Sequence, residues 1–263
     1  MDRSFLSQTE VIAASRRFVC IRLMTYEDEA EMKFLARLGA GRGGAVENTT
    51  FTILAPDGKE LLRASRGPRE HFGNASAMAA AMDAIAQRYP PVGTDAAHAL
   101  PVTLTVPLGL DVAASDSQPL IVVCARDTTV RRELESKIAA LAWSEPYLGQ
   151  FTYAVTPSLD GMRGLTNLPA GDGVAIIEPD TFGQKGKVVD FWSAKSAMDQ
   201  LESKLSKCLS AHVKEPKSMG AHRRAGEKVG AFWETKLAVT DREEAGARAR
   251  TKRMLEQGTR GPE

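Results

Sequence analysis

At 263 residues the chain has the length of about two domains, and its 43% apolar and 25% charged composition is that of a folded rather than a disordered protein. A formal net charge of +1, from 34 basic and 33 acidic residues, argues against a whole surface given over to nucleic acid or membrane. No apolar run approaches the roughly 18 to 20 residues that cross a bilayer, and the start, Met1 to Ser7, lacks a basic segment followed by an apolar one, so no signal peptide is read and a cytoplasmic location is expected, extracytoplasmic only were a leader removed.

In chain order, Thr9 to Arg17 is helix-compatible, and Phe18-Val19-Cys20-Ile21-Arg22-Leu23-Met24 reads as a buried strand. Thr25, three residues before Asp28, makes a capping-box-like start for a helix with the stripe Ala30, Phe34, Leu35 and Leu38, ended by Gly39. The glycine-rich stretch Gly39 to Gly44 follows a helix rather than a strand and lacks the Lys-Ser/Thr ending of a phosphate loop, so it reads as a connection. Thr50 to Leu54 is a strand running into Pro56-Asp57-Gly58, with a partner strand from Glu60 to Ser65. Met78, Met82, Ile85 and Tyr89 then mark a helix stopped by Pro90-Pro91.

Residues 91–99 form a linker between a first domain, 1–90, and a second, 100–210. Val102 to Val106 alternates like a strand, and Leu120 to Ala125 reads as a doubly buried one. Val130, Leu134, Ile138 and Leu141 share a helical face, with Asp127 or Thr128 as N-cap. A strand from Phe151 to Val155 and a loop or short helix from Pro157 to Leu168 precede Val174 to Asp180, which repeats the apolar strand and Pro-Asp turn of Thr50 to Gly58. A second strand, Lys187 to Ser193, and a helix carrying Met198, Leu201, Leu205, Cys208 and Leu209 complete the repeat. Residues 211–263 are a charged helical tail.

This order resembles the thioredoxin fold, with the first domain abridged, so the chain is expected to be α/β: two thioredoxin-like domains in tandem with a helical C-terminal extension. The resemblance implies a redox Cys-x-x-Cys where the central strand meets the next helix, because a helix N-terminus favours the thiolate. Those junctions hold Thr25 and Tyr26 in the first domain and Asp127 and Thr128 in the second, without cysteine. The place before the hairpin strand, a proline in the family, falls near Thr50 and near Asp172-Gly173. A redox-inactive interaction or scaffolding module follows, binding through Thr25, Tyr26, Thr50, Asp127 and Thr128, with no metal or cofactor. The alternative is a one-cysteine thiol peroxidase or transferase using Cys20 or Cys124, which are expected on equivalent central strands and there behave ordinarily as small hydrophobes.

The histidines His71, His98, His212 and His222 have no pairwise metal spacing and are expected on solvated surface. In the tail, Phe232 and Trp233 interrupt a basic, polar sequence. They point either to docking on a protein partner or a second copy, or to an extension laid back on its own domain. Acidic residues through the same stretch, Glu227, Glu234, Glu243 and Glu244 among them, disfavour nucleic acid.

Overall fold

Leu120–Cys124 (β4) is buried at every position, and the second unit of the protein is assembled around it. The structure is a computed structural model that describes residues 5–39, 51–65, 67–90, 99–214 and 218–258. The chain divides into two compact units, Asp95–Phe232 and Met1–Thr94 with Trp233–Glu263. The protein is mixed α/β.

In the Asp95–Phe232 unit, β4 pairs in parallel with β5 (Thr152–Thr156) and antiparallel with β7 (Gly173–Pro179). β3 (Val102–Thr103) runs parallel to β5, β8 (Gly186–Ser193) antiparallel to β7, and β6 (Leu165–Thr166) parallel to β8. The six-stranded order is β3-β5-β4-β7-β8-β6. Successive side chains of β4 point to opposite faces. Ile121 and Val123 pack with Leu134 and Ile138 of α6 (Thr128–Ala142) and Leu201 and Leu205 of α7 (Met198–Ala211). Leu120, Val122 and Cys124 pack on the other side with Leu110 and Ala113 of α5 (Val106–Asp116). A strand covered on both faces must be apolar throughout, which is why β4 shows no alternation in sequence.

The strand expected over Val102 to Val106 is only two residues long, and the rest of that stretch begins α5. The Thr105 side chain accepts from the Leu108 amide at 3.2 Å, and Pro107 stands in the first turn where its missing N–H costs nothing. α5 lies close on the sheet, since a Cβ at Gly109 would stand 2.9 Å from Thr103 Oγ1. The loop expected from Pro157 to Leu168 contributes β6 as an edge strand.

The other unit contains α1 (Thr9–Ser15), α2 (Glu29–Gly39), an antiparallel hairpin of β1 (Phe51–Leu54) and β2 (Leu61–Ser65), α3 (Pro68–Phe72) and α4 (Ala75–Arg88). Its core joins Phe5, Val11, Ile53, Met78, Met82 and Ile85. Asp57 shapes the hairpin turn by accepting from the Lys59 and Glu60 amides at 2.8 and 3.1 Å. Asp180 does the same between β7 and β8, accepting from Phe182 and Gln184 at 3.2 and 2.9 Å. α2 is capped by Asp28, whose carboxylate accepts from the Glu31 amide at 2.9 Å, rather than by Thr25.

Phe18 to Met24 is not a strand: the segment is irregular, with Val19 72% and Ile21 65% exposed and Cys20 exposed. A β-branched run becomes a strand only where a neighbour completes its ladder, and among the described residues β1 and β2 pair only with each other. Cys20 and Cys124 therefore do not stand on equivalent strands. Thr50 and the linker residues 91–98 lie outside the described residues.

The stretch 211–263 is not one extension. α8 (Met219–Lys228) belongs to the Asp95–Phe232 unit, where the His222 and Phe182 rings are 5.1 Å apart, whereas Trp233 and α9 (Arg242–Gly258) belong with Met1–Thr94.

Leu201 is fully buried beside Trp192. Leu201→Ala removes its contacts and leaves a cavity, and should lower stability by about 3 kcal/mol in chemical denaturation.

Candidate functional site

The β4–α6 junction is built from five charged side chains, Arg126, Asp127, Arg131, Asp160 and Asp172, around a buried thiol. β4 ends at Cys124, opposite Thr156 on β5 and Gly173 on β7. A Cβ at Gly173 would collide with the Trp192 carbonyl and the Phe191 ring, so only glycine fits there. Asp127 then turns the chain into α6, its carboxylate accepting from the Thr129 and Val130 amides at 2.8 and 3.0 Å. Thr128 opens the helix and is exposed.

The Arg126 amide donates to Asp172 Oδ1 at 3.2 Å, and its guanidinium meets Asp160 at 2.6 Å. The Arg131 guanidinium donates to the Ala125 carbonyl at 2.9 Å. The hydrogen bond from Arg126, followed by that from Ser158, holds the Asp160 carboxyl below its usual range. Arg126 and Asp160 are both well exposed, so the pair orders the surface more than it stabilises the fold.

Cys124 is buried, and burial pushes its thiol up against the lowering effect of a backbone hydrogen bond with Leu159; the charges of Asp172 and Asp160 raise it further. A helix N-terminus can lower a thiol's pKa through its free amides. Here the Asp127 carboxylate already takes two of those amides, and the cysteine beneath is kept neutral.

The first-unit residues assemble differently. Tyr26 lies in the turn leading to α2, and its carbonyl accepts from the Leu237 amide at 2.9 Å. Next to it, Glu27 accepts from the Trp233 indole N–H at 2.8 Å. Arg248 donates to the Trp233 carbonyl, and Lys252 pairs with Glu234 at 2.6 Å. Thr25 stands half-buried in the same turn. The turn that holds Tyr26 is thus tied to the segment that holds Trp233 through Leu237 and Glu27, while Phe232, half-buried, is the last residue of the other unit. The Cys20 thiol donates to the Ser15 carbonyl at 3.8 Å. Although the residue is exposed, shielding of its sulfur pushes the thiol up, outweighing that hydrogen bond.

A feature the sequence does not announce is a groove of about 490 Å³ between the ends of α5, β7 and α7, with Ser117, Glu178, Cys208 and His212 in its lining. His212, expected on solvated surface, has a side chain only 10% exposed and bonds to Glu178 and to the Ser117 carbonyl. Its partners lie 34 and 95 residues away in sequence, so no local pattern marks it. Cys208 in the same groove is pushed up to about 11, by burial first and then by Glu178 and Asp190.

Among the described residues no group of three or more His, Cys, Asp or Glu is placed to hold a metal ion, and no helix is long and apolar enough to cross a membrane. No protein-family model, curated protein or solved structure matches the chain.

Raising a thiol from 9.0 to about 11 lowers its thiolate fraction at neutral pH about a hundredfold. Because the thiolate is the nucleophile, alkylation of Cys208 by iodoacetamide should rise with pH to a midpoint near 11, read by peptide mass spectrometry. In the other unit, Trp233→Phe keeps an aromatic side chain, though a smaller one, and loses the donor to Glu27. It should cost about 1 kcal/mol, and a double-mutant cycle with Glu27→Gln, by chemical denaturation, should be non-additive.

Proposed function

We propose that the chain is a redox-inactive, thioredoxin-like protein that serves as an interaction or scaffolding module for a protein partner or a second copy. The observation that carries this is the β4–α6 junction. In a sheet whose order β3-β5-β4-β7-β8 is extended by the edge strand β6, with α5 and α6 connecting the parallel strands and α7 following the hairpin, that junction is where a thioredoxin-like fold places its reactive thiol. Here it holds Arg126, Asp127 and Thr128. Asp127 satisfies the helix amides with its own carboxylate.

The one-cysteine reading is weaker on the same grounds. A peroxidatic or transferase thiol needs a lowered pKa together with access. Cys124 is buried with a raised thiol, and Cys20 is exposed as a residue but also raised. The free state of Cys20, Cys124 and Cys208 accords with a reducing, cytoplasmic compartment.

The test is reduction of insulin by dithiothreitol, followed as turbidity, with the full chain present. The expected rate is that of buffer alone. A rate comparable to that of a dithiol oxidoreductase overturns the proposal, and loss of that rate in Cys20→Ser or Cys124→Ser would identify the thiol responsible.

A further inference from the structure

His212 ends α7 as its C-cap, with its amide bonded back to the Cys208 carbonyl at 2.8 Å. Nδ1 lies 3.0 and 3.3 Å from the two carboxylate oxygens of Glu178, at the end of β7. Nε2 lies 2.9 Å from the carbonyl of Ser117, the residue that ends α5 in a left-handed conformation with φ 54°. Both ring nitrogens therefore face acceptors. A carbonyl oxygen only accepts, so Nε2 must carry a proton, and the neutral ring then turns the Nδ1 lone pair toward a carboxylate. The protonated ring donates to both.

We infer that protonated His212 is a pH-dependent latch that ties the end of α7 to α5 and β7. It closes as the ring gains its second proton and weakens as pH rises and Nδ1–H is lost, because lone pair then opposes carboxylate where a charge-assisted bond stood. Among the described residues, Asp180 and Cys208 line the same groove, Lys187 stands opposite Glu178 on β8, and Asp116 and Lys214 flank Ser117 and His212 in sequence. The ring's side chain is only 10% exposed, so solvent replaces the lost bond poorly, while the 43% exposure of Glu178 limits the size of the effect. The latch stands at the C-terminal end of α7. It does not depend on the redox-inactive reading.

The experiment is amide hydrogen exchange of the full chain by mass spectrometry at about pH 5.5 and about pH 8.5, corrected for intrinsic exchange, on peptides spanning Leu205 to Val213. Protection in the unaltered chain should be about threefold or more higher at the acid pH. His212→Gln should abolish the difference. Glu178→Gln should abolish it as well while leaving the helix end protected at both values, because the amide can donate to the neutral ring. Equal protection at both pH values in the unaltered chain overturns the latch, as does an acid-to-alkaline ratio that survives His212→Gln. Should His212→Gln fail to fold, Glu178→Gln decides: an unchanged ratio overturns the proposal and a lost ratio supports it.

Discussion

Burial of β4 on both faces is the constraint from which the architecture of the Asp95–Phe232 unit follows. Five apolar side chains in a row cannot be covered by one layer. Helices must lie on either side of the sheet, α6 and α7 on one and α5 on the other. The parallel pairing of β4 with β5 in turn requires the crossover that α6 supplies, so the helix begins at the end of the most buried strand. The junction is thereby placed at the C-terminal end of a central strand. Gly173, directly across from Cys124, admits no side chain because the Trp192 carbonyl and Phe191 ring already fill the space.

The electrostatics of that junction are local and self-contained. Asp127 caps the helix it precedes, Arg126 spans Asp160 and Asp172, and Arg131 returns to the Ala125 carbonyl. These pairings leave a charged surface over a buried thiol. Elsewhere in the same unit the ends of α5, β7 and α7 meet at one imidazole, that of His212, bonded to Glu178 and to the Ser117 carbonyl.

The unit formed by Met1–Thr94 and Trp233–Glu263 rests on a smaller core. A two-stranded hairpin is marginal by itself and gains stability from helices packed on it. Phe5, Val11, Met78, Met82 and Ile85 supply that cover together with Ile53 of β1. Trp233, Leu237 and Arg248 add polar ties around the turn before α2, so residues far down the chain complete a unit begun at its start. The tail's large aromatic therefore contributes to the fold of this unit.

What the sequence determined by itself was whatever depends on near neighbours. The doubly buried run Leu120 to Cys124, the stripe of Leu134 and Ile138, the cap at Asp127 and the Pro-Asp hairpin turns were all legible, because periodicity, capping and turn chemistry act over a few residues. The α/β class followed from them. The tertiary structure decided the rest. Phe18 to Met24 has the composition of a strand but is irregular, since a strand is made by its neighbour. Thr105 caps a helix that looked like a strand's continuation, because its apolar faces meet a sheet formed by distant residues. Trp233 found Glu27 across 206 positions and His212 found Ser117 across 95, contacts that no local pattern encodes because they exist only after the chain has folded back on itself.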